Sequence, residues 1–166
     1  KMTALDGQMI DSVWKTPNGN EISYDEVIQQ VRKHSNNGGR TYLGTDSFVE
    51  RNRCVFATAI CFHGAHDQKG GQYLYRRTYH NRGEFPVLVT RILAEVQNTV
   101  ELALSVSSEV PQAQIELHLD ISSADAGNGT SRFCKMLTGY AESSGFTYKI
   151  KPEAWASQSV ADKHSK

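Results

Sequence analysis

The stretch Thr41-Tyr-Leu-Gly-Thr-Asp-Ser47 is a largely apolar run with a carboxylate, that of Asp46, near its end. A second run of the same kind, Ile115-Glu-Leu-His-Leu-Asp-Ile121, ends in Asp120. Both runs predict β-strands, and a carboxylate at the end of a buried strand is costly to desolvate without a partner. If the two strands are neighbours, Asp46 and Asp120 repel each other by about 4 kcal/mol at ~4 Å. A divalent cation between them would turn that repulsion into a binding site, so the pair indicates metal-dependent chemistry.

Length and composition are those of one folded domain. The chain has 166 residues, of which 39% are hydrophobic and 22% are charged, and this is enough for a single core. Its 18 basic residues balance its 18 acidic residues, so a polyanionic partner must be held by a local basic patch or by bound metal. The three cysteines, Cys54, Cys61 and Cys134, show neither disulfide nor zinc spacing. Cys54 and Cys61 lie in an apolar run, which favours buried free thiols, so we expect a reducing, cytoplasmic location. No segment has the length and apolarity of a membrane span, so we expect no membrane partner.

The order of the predicted elements indicates an α/β fold. We expect residues 1–22 to form an N-terminal arm or hairpin, and residues 23–166 to form a single domain with a leading helix over residues 23–37. That helix begins at the capping box Ser23-Tyr-Asp-Glu26. The pattern then predicts strands at 41–48, 53–62 and 72–79, a helix from about Pro86 to about Val106, a strand at 114–121, a glycine-rich loop at 122–130, a helix at 131–143, a strand at 146–150 and a last helix opening at Pro152. Three meander strands followed by alternating helices and strands predict a mixed sheet with helices on both faces.

Two further acidic residues, Glu95 and Asp162, extend the candidate site to four carboxylates. Glu95 lies in the long predicted helix beside Ile92 and Val96, near the stripe of that helix that should be buried. Asp162 lies near the C-terminus, in Ser159-Val-Ala-Asp162. Oxygen ligands of this kind suit Mg²⁺ or Mn²⁺ rather than zinc. Each residue also has an ordinary explanation, since Asp46 could cap a turn and Glu95 could lie on a solvated helix face.

Basic and aromatic residues offer contacts for nucleic acid. If the sheet brings them beside the acids, they supply the phosphate contacts that a neutral chain otherwise lacks; otherwise they are solvated surface. The candidates for these contacts are Arg53, Arg77, Arg91, Lys149 and Lys151. Trp14 and Trp155 could stack on bases, although packing is the commoner role of such residues. His118 is either a structural histidine or a ligand or proton shuttle, and His164 is a second candidate shuttle.

Five stretches carry a resemblance to a known family. They are Tyr42-Leu-Gly-Thr-Asp-Ser47, Arg91-Ile-Leu-Ala-Glu95, His118-Leu-Asp-Ile121, Lys149-Ile-Lys-Pro152 and Ala156-Ser-Gln-Ser-Val-Ala-Asp162. Together with the order of elements, they resemble the ribonuclease H-like superfamily, in particular its uncharacterised YkuK-type family. The resemblance implies a ribonuclease H-like fold with Asp46, Glu95 and Asp120 as metal ligands, and it places Asp162 where a fourth carboxylate stands. The chain departs from the family pattern at Phe48, where a polar residue is expected, and at its ending His164-Ser165-Lys166.

These observations lead to an expected function and an alternative. We expect a metal-dependent nuclease that hydrolyses phosphodiester bonds of nucleic acid, with two Mg²⁺ or Mn²⁺ ions held by Asp46, Glu95, Asp120 and Asp162. The alternative is a non-catalytic nucleic-acid or protein-interaction module on a ribonuclease H-like fold. The sequence leaves open whether the partner is RNA, DNA or a hybrid, whether cleavage is internal or terminal, and what the oligomeric state is.

Overall fold

The structure, a computed structural model, describes residues 13–127 and 131–166. Residues 1–12 of the expected N-terminal arm and residues 128–130 of the predicted glycine-rich loop therefore lie outside the described part of the chain. One mixed sheet forms the centre of the fold. Its strands are β1 (Trp14–Lys15), β2 (Glu21–Ile22), β3 (Arg40–Val49), β4 (Arg53–His63), β5 (Gln72–Asn81), β6 (Gln114–His118) and β7 (Thr147–Lys149). Seven strands follow the spatial order β2-β1-β5-β4-β3-β6-β7.

The pairing of β3 determines where the site forms. β3, β4 and β5 are an antiparallel meander, whereas β6 runs parallel to β3 and β7 runs parallel to β6. Gly44 on β3 is in register with His118 on β6. Asp46 and Asp120 each follow two residues later, so both lie at the same edge of the sheet. This is the edge at which ligands bind in α/β sheets.

Helices cover both faces of the sheet, as the sequence predicted. The helices α1 (Tyr24–Asn36), α2 (Leu88–Glu109) and α3 (Cys134–Ser143) pack on one face, in a core that includes Val31, Leu43, Ile60, Val96 and Leu137. The other face carries the C-terminal helix, which is a π-helix over Ala156–Ala161 and an α-helix over Asp162–Ser165. Short 3₁₀ turns occur at Arg82–Glu84 and Ser131–Phe133. No described helix is long and apolar enough to cross a bilayer.

A glycine and a histidine allow the C-terminal helix to lie directly on β3 and β6. A Cβ atom at Gly44 would come within 2.6 Å of the Ser157 backbone nitrogen, so only glycine permits this approach. The Ala156 N–H donates to His118 Nδ1 over 3.0 Å, and the opposite ring nitrogen, Nε2, lies 3.0 Å from Glu116 Oε1. Because Nδ1 accepts a hydrogen bond, the proton of the neutral ring is on Nε2, and this N–H donates to Glu116. His118 is therefore a structural residue.

Several predicted boundaries were wrong. The last helix begins at Ala156 rather than at Pro152, because residues 150–153 form a turn closed by a bond from Glu153 N–H to Ile150 O of 2.9 Å. The strand predicted at 114–121 ends at His118, and the helix predicted from Pro86 spans Leu88–Glu109. At the N-terminal end Trp14 is fully buried and pairs with Arg76 of β5. The domain boundary after residue 22 stays a prediction.

Candidate metal centre

Three carboxylates converge at the edge where β3 and β6 end. Asp46, Glu95 and Asp120 each place one carboxylate oxygen within 4.8 Å of the others. Asp46 comes from β3, and Asp120 comes from the extended segment just after β6. Glu95 reaches the same point from α2, because its neighbours Ile92 and Val96 face the core and turn this side of the helix toward the sheet. The structure thus brings together three of the four predicted acids.

Asp46 is held in a setting that disfavours its charge. Its Oδ2 accepts a hydrogen bond of 2.9 Å from Ser165 Oγ on the C-terminal helix. Burial, followed by the charge of Asp120, raises the pKa of Asp46 from its ordinary 3.8 to about 7, against a smaller lowering effect of the Ser165 bond. A cation at this point would lower that pKa again, because it stabilises the charged form.

Glu95 supplies the observation that tests whether a metal fits. Its side chain is 2% exposed, and burial followed by the charges of Asp120 and Asp46 raises its pKa well above the ordinary value. Ser47 Oγ donates a short hydrogen bond to Glu95 Oε2. Among the described residues, Oε1 is buried without any hydrogen-bond partner. A buried carboxylate oxygen without a donor is costly, and a divalent cation would satisfy it. An all-oxygen donor set therefore fits Mg²⁺ or Mn²⁺.

Asp120 already has a cationic partner. Lys151 Nζ lies 2.7 Å from Asp120 Oδ1, and the two side chains are 38% and 14% exposed. Lys151 reaches this position from the connection between β7 and the C-terminal helix. Lys151, which was predicted to bind phosphate, is thus the ion-pair partner of Asp120, which was predicted to bind metal. Lys151 therefore competes with any cation bound to Asp120.

The three acids lie in an open cleft of about 390 Å³, whose other lining residues include Ser47, Leu88, Arg91, Ser122 and Lys166. Asp162, the fourth predicted acid, lines this cleft but is not one of the three converging carboxylates. Its Oδ1 accepts a 2.7 Å bond from Lys166 Nζ, and that bond is the main reason why its pKa is lowered. Asp162 is therefore a residue of the cleft rim.

The five predicted nucleic-acid contacts occupy different positions. Arg91 and Lys151 line the acidic cleft. Arg77 lies on the same row of the sheet as Asp46, and its Nε donates to His164 O over 2.6 Å. Arg53, at the start of β4, is ion-paired with Glu50 and lies 4.5 Å over the ring of Tyr79. Lys149, exposed on β7 beside His118, is not among the described residues that line the cleft.

The remaining aromatic candidates pack against other side chains of the protein. Trp14 is fully buried, and the ring of Trp155 packs against Tyr42, His63 and His118 at centroid distances of 4.9–5.0 Å. His164 stacks on Tyr75 at 3.6 Å, and its Nε2 lies 3.0 Å from Tyr73 Oη. These contacts account for both tryptophans and for His164 as packing residues.

The two serines that hold the carboxylates were not among the site residues predicted from the sequence. Ser47 follows Asp46 on β3 and therefore points to the opposite face of the sheet, where it reaches Glu95. That placement could have been derived from strand alternation once α2 was assigned to that face. Ser165 reaches Asp46 from 119 residues away, and no local pattern signals such a contact.

The comparisons with known proteins give one match. The family model described as ribonuclease H-like matches residues 23–166, from the N-cap of α1 to the last residue. No curated protein and no solved structure shows a significant match.

Proposed function

The chain belongs to the ribonuclease H-like family, and from that premise we propose that it is a metal-dependent nuclease that hydrolyses phosphodiester bonds of nucleic acid. The YkuK-type resemblance agrees with this membership. The observation that carries the proposal is the convergence of three carboxylate oxygens within 4.8 Å, one of them from a buried glutamate with an unpartnered oxygen. Fold membership alone would not carry it, since one fold hosts many functions.

In this proposal Asp46, Glu95 and Asp120 hold Mg²⁺ or Mn²⁺, and Asp162 adds a fourth oxygen from the rim. Ions bound in such a cleft would activate a water molecule and would stabilise the leaving oxygen of an in-line displacement. Ser47 and Ser165 keep two of the carboxylates oriented.

The cationic groups of the cleft would orient the substrate. Arg91 and Lys151 line it, and their charges attract the phosphate next to the scissile bond. The partner that follows is RNA, DNA or a hybrid of the two. We also propose a cytoplasmic location, to which the buried free thiols of Cys54 and Cys61 are suited.

One observation favours the alternative, a non-catalytic nucleic-acid or protein-interaction module. Lys151 already compensates Asp120 at 2.7 Å, so part of the acidic charge is neutralised without a metal. In a pure binding module this pair would persist, and the remaining cations would bind phosphates without cleavage.

The test combines metal binding with cleavage. Mn²⁺ binding is measured by calorimetry, and cleavage is measured on single-stranded, duplex and hybrid substrates with Mg²⁺ or Mn²⁺. Asp120→Asn should lose both, because it removes a ligand oxygen charge. Glu21→Gln, an exposed acid on β2 at the far edge of the sheet, is the matched control and should retain both.

Two results would overturn the proposal. The first is Mn²⁺ affinity that is unchanged in Asp120→Asn. The second is demonstrable Mn²⁺ binding without cleavage of any substrate in the panel, together with nucleic-acid affinity that survives Asp120→Asn and falls with salt. That second result is the one expected of the module.

A further inference from the structure

The sheet continues past the acidic centre as an exposed surface that the cleft does not include. Asp46 is in register with Ala57, and Ala57 with Arg77, so these three residues form one row across β3, β4 and β5. The next row lies two residues further along the strands, toward the same edge of the sheet. It is formed by Phe48, which is in register with Val55, and by Tyr79, which is also in register with Val55. Directly paired residues share a face, and so do residues two apart on a strand. Phe48 and Tyr79 therefore lie on the face of Asp46.

The two aromatic side chains of this second row are open to solvent. Phe48 is 37% exposed and Tyr79 is 51% exposed, whereas Val55 between them is 2% exposed. The C-terminal helix, which covers this face elsewhere, reaches the first row through the bonds of Ser165 to Asp46 and of Arg77 to His164. The solvated face of an antiparallel sheet is usually polar, so two exposed aromatic rings in one row suggest a binding surface.

Arginines accompany the rings. The Arg53 guanidinium lies 4.5 Å over the Tyr79 ring, and its side chain is 49% exposed. Its ionic partner is Glu50, which is also at the surface, and an exposed ion pair of this kind contributes little to stability. Arg77 occupies the first row. We call Phe48, Arg53, Arg77 and Tyr79 the aromatic face.

We infer that the aromatic face binds single-stranded nucleic acid, with bases stacked on Phe48 and Tyr79 and phosphates near Arg53 and Arg77. This inference rests on the proposed function, because it supplies the path by which a substrate strand reaches the cleft. Exposed rings interleaved with arginines are the physical requirement for binding unpaired bases, whose faces stack on aromatic side chains. The two rows are about 7 Å apart along the strands, so a base on Phe48 places the adjoining phosphate close to Asp46.

Charge and geometry favour an unpaired strand over two other partners, a nucleic-acid duplex and a second copy of this chain. A duplex hides its base faces in its own stack, so it can use the arginines but not the rings. A second copy of the chain docked by a twofold axis would bring like-charged arginines together, because the same patch is used on both sides. An unpaired strand satisfies the rings and the arginines at once.

The experiment measures binding of a fluorescent single-stranded oligonucleotide of ~10 nucleotides by anisotropy, with chelator present so that no cleavage occurs. Phe48→Ala and Tyr79→Ala should each raise Kd about 5- to 100-fold, and Tyr79→Phe, which keeps the ring, should leave it unchanged. Arg53→Ala should reduce the slope of log affinity against log salt by about 0.7. Leu104→Ser is the matched control, since Leu104 is 51% exposed on α2, and it should bind as the wild type does.

Three results of the binding measurement would overturn the inference. They are a wild-type protein that binds no single strand, alanine variants that melt normally and bind normally, and alanine variants that lose single-strand and duplex binding equally. A dimer in sedimentation that becomes a monomer on Tyr79→Ala, with oligonucleotide affinity unchanged, would instead assign the face to a second copy.

These outcomes are distinct from those that test the nuclease. Cleavage that depends on Asp120 but is indifferent to Phe48 and Tyr79 would reject the aromatic face and keep the enzyme. Ring-dependent binding without any cleavage would keep the aromatic face and reject the enzyme.

Discussion

Single side chains determine how much negative charge the acidic cleft carries. Asp120 is paired with Lys151, and Asp46 accepts a bond from Ser165, whereas Glu95 keeps one buried oxygen without a described partner. Three carboxylates beside one directly paired ammonium leave an excess of negative charge wherever the acids are ionised. This excess attracts a cation and, after burial, is the second cause of the raised pKa values of Asp46 and Glu95.

Removing the charge of Lys151 should strengthen metal binding. In Lys151→Met the ammonium no longer competes for Asp120, so we expect Mn²⁺ affinity to rise about 3- to 10-fold, which corresponds to about 1 kcal/mol. Calorimetry measures the change, and Lys151→Arg, which keeps the charge, should bind Mn²⁺ with nearly the wild-type affinity. Weaker Mn²⁺ binding in the methionine variant would mean that Lys151 orients Asp120 for the ion instead of competing with it.

The pKa of Asp46 predicts how stability changes with pH in the metal-free protein. Because the folded-state pKa, about 7, is raised above the ordinary 3.8, the stabilisation from its proton is complete below pH ~4 and is lost as the pH rises through 7. We therefore expect the unfolding free energy of the wild type to fall by about 2–4 kcal/mol relative to Asp46→Asn between pH 4 and 8.

Urea unfolding of both proteins in chelator, at a series of pH values, checks this expectation. A difference between the two proteins that stays constant across the series would show that Asp46 titrates normally in the folded state. Adding Mn²⁺ at pH 8 should raise the unfolding free energy of the wild type again but should not change that of Asp46→Asn.

At the scale of elements, the C-terminal helix is the part of the site that depends most on close backbone packing. It lies on β3 where Gly44 leaves room, and it is fixed by the bond from Ala156 N–H to His118 Nδ1. Ser165 and Asp162 reach the acids only because the helix is held at this distance. A shift of this helix would therefore move Ser165 and Asp162 relative to the acidic cleft.

Gly44→Ala should destabilise the protein by about 1–3 kcal/mol, because the added methyl group would lie 2.6 Å from the Ser157 backbone nitrogen. It should also weaken Mn²⁺ binding, since the helix that carries Ser165 must shift. Gly139→Ala is the control: Gly139 lies inside α3 with open space around its Cβ position, so helix propensity should make that variant neutral or slightly more stable. Thermal melts and calorimetry measure both effects. Equal stabilities for the two variants would contradict the packing argument.

At the scale of the whole molecule, the candidate metal centre is a product of the complete fold. Its groups come from β3, from α2, from the segment after β6, from the connection that follows β7 and from the C-terminal helix. The unfolded chain cannot bring these groups together, so a cation that binds them binds the folded state alone. Metal binding and folding are therefore linked.

Mn²⁺ should consequently raise the melting temperature. At 100 times Kd the stabilisation is about 2.7 kcal/mol, which for a domain of this size corresponds to about 5–10 °C. Differential scanning calorimetry measures the shift, which should be absent in Asp46→Asn and preserved in Glu21→Gln. A shift of equal size in Asp46→Asn would place the bound ion elsewhere.

The sequence by itself determined the class of fold and the residues that could carry the chemistry. Strand alternation, the capping box at Ser23 and the glycines after α1 are local signals, and each depends on neighbours along the chain. The carboxylates of Asp46 and Asp120 could be placed at one edge of the sheet because parallel strands end together. Glu95 could be assigned to the buried side of its helix because helix periodicity relates it to Ile92 and Val96.

Only the tertiary structure decided the contacts between groups distant in sequence. The pairing of Lys151 with Asp120, the reach of Ser165 to Asp46 and the seating of the C-terminal helix on Gly44 depend on how segments pack. So does the open row of Phe48 and Tyr79 beside the acids, which follows from the register of three strands. Local sequence patterns indicate only the hydrophobicity and the backbone preference of a few neighbouring residues. Charge compensation and exposure are properties of the packed chain, because they depend on which atoms displace water from one another.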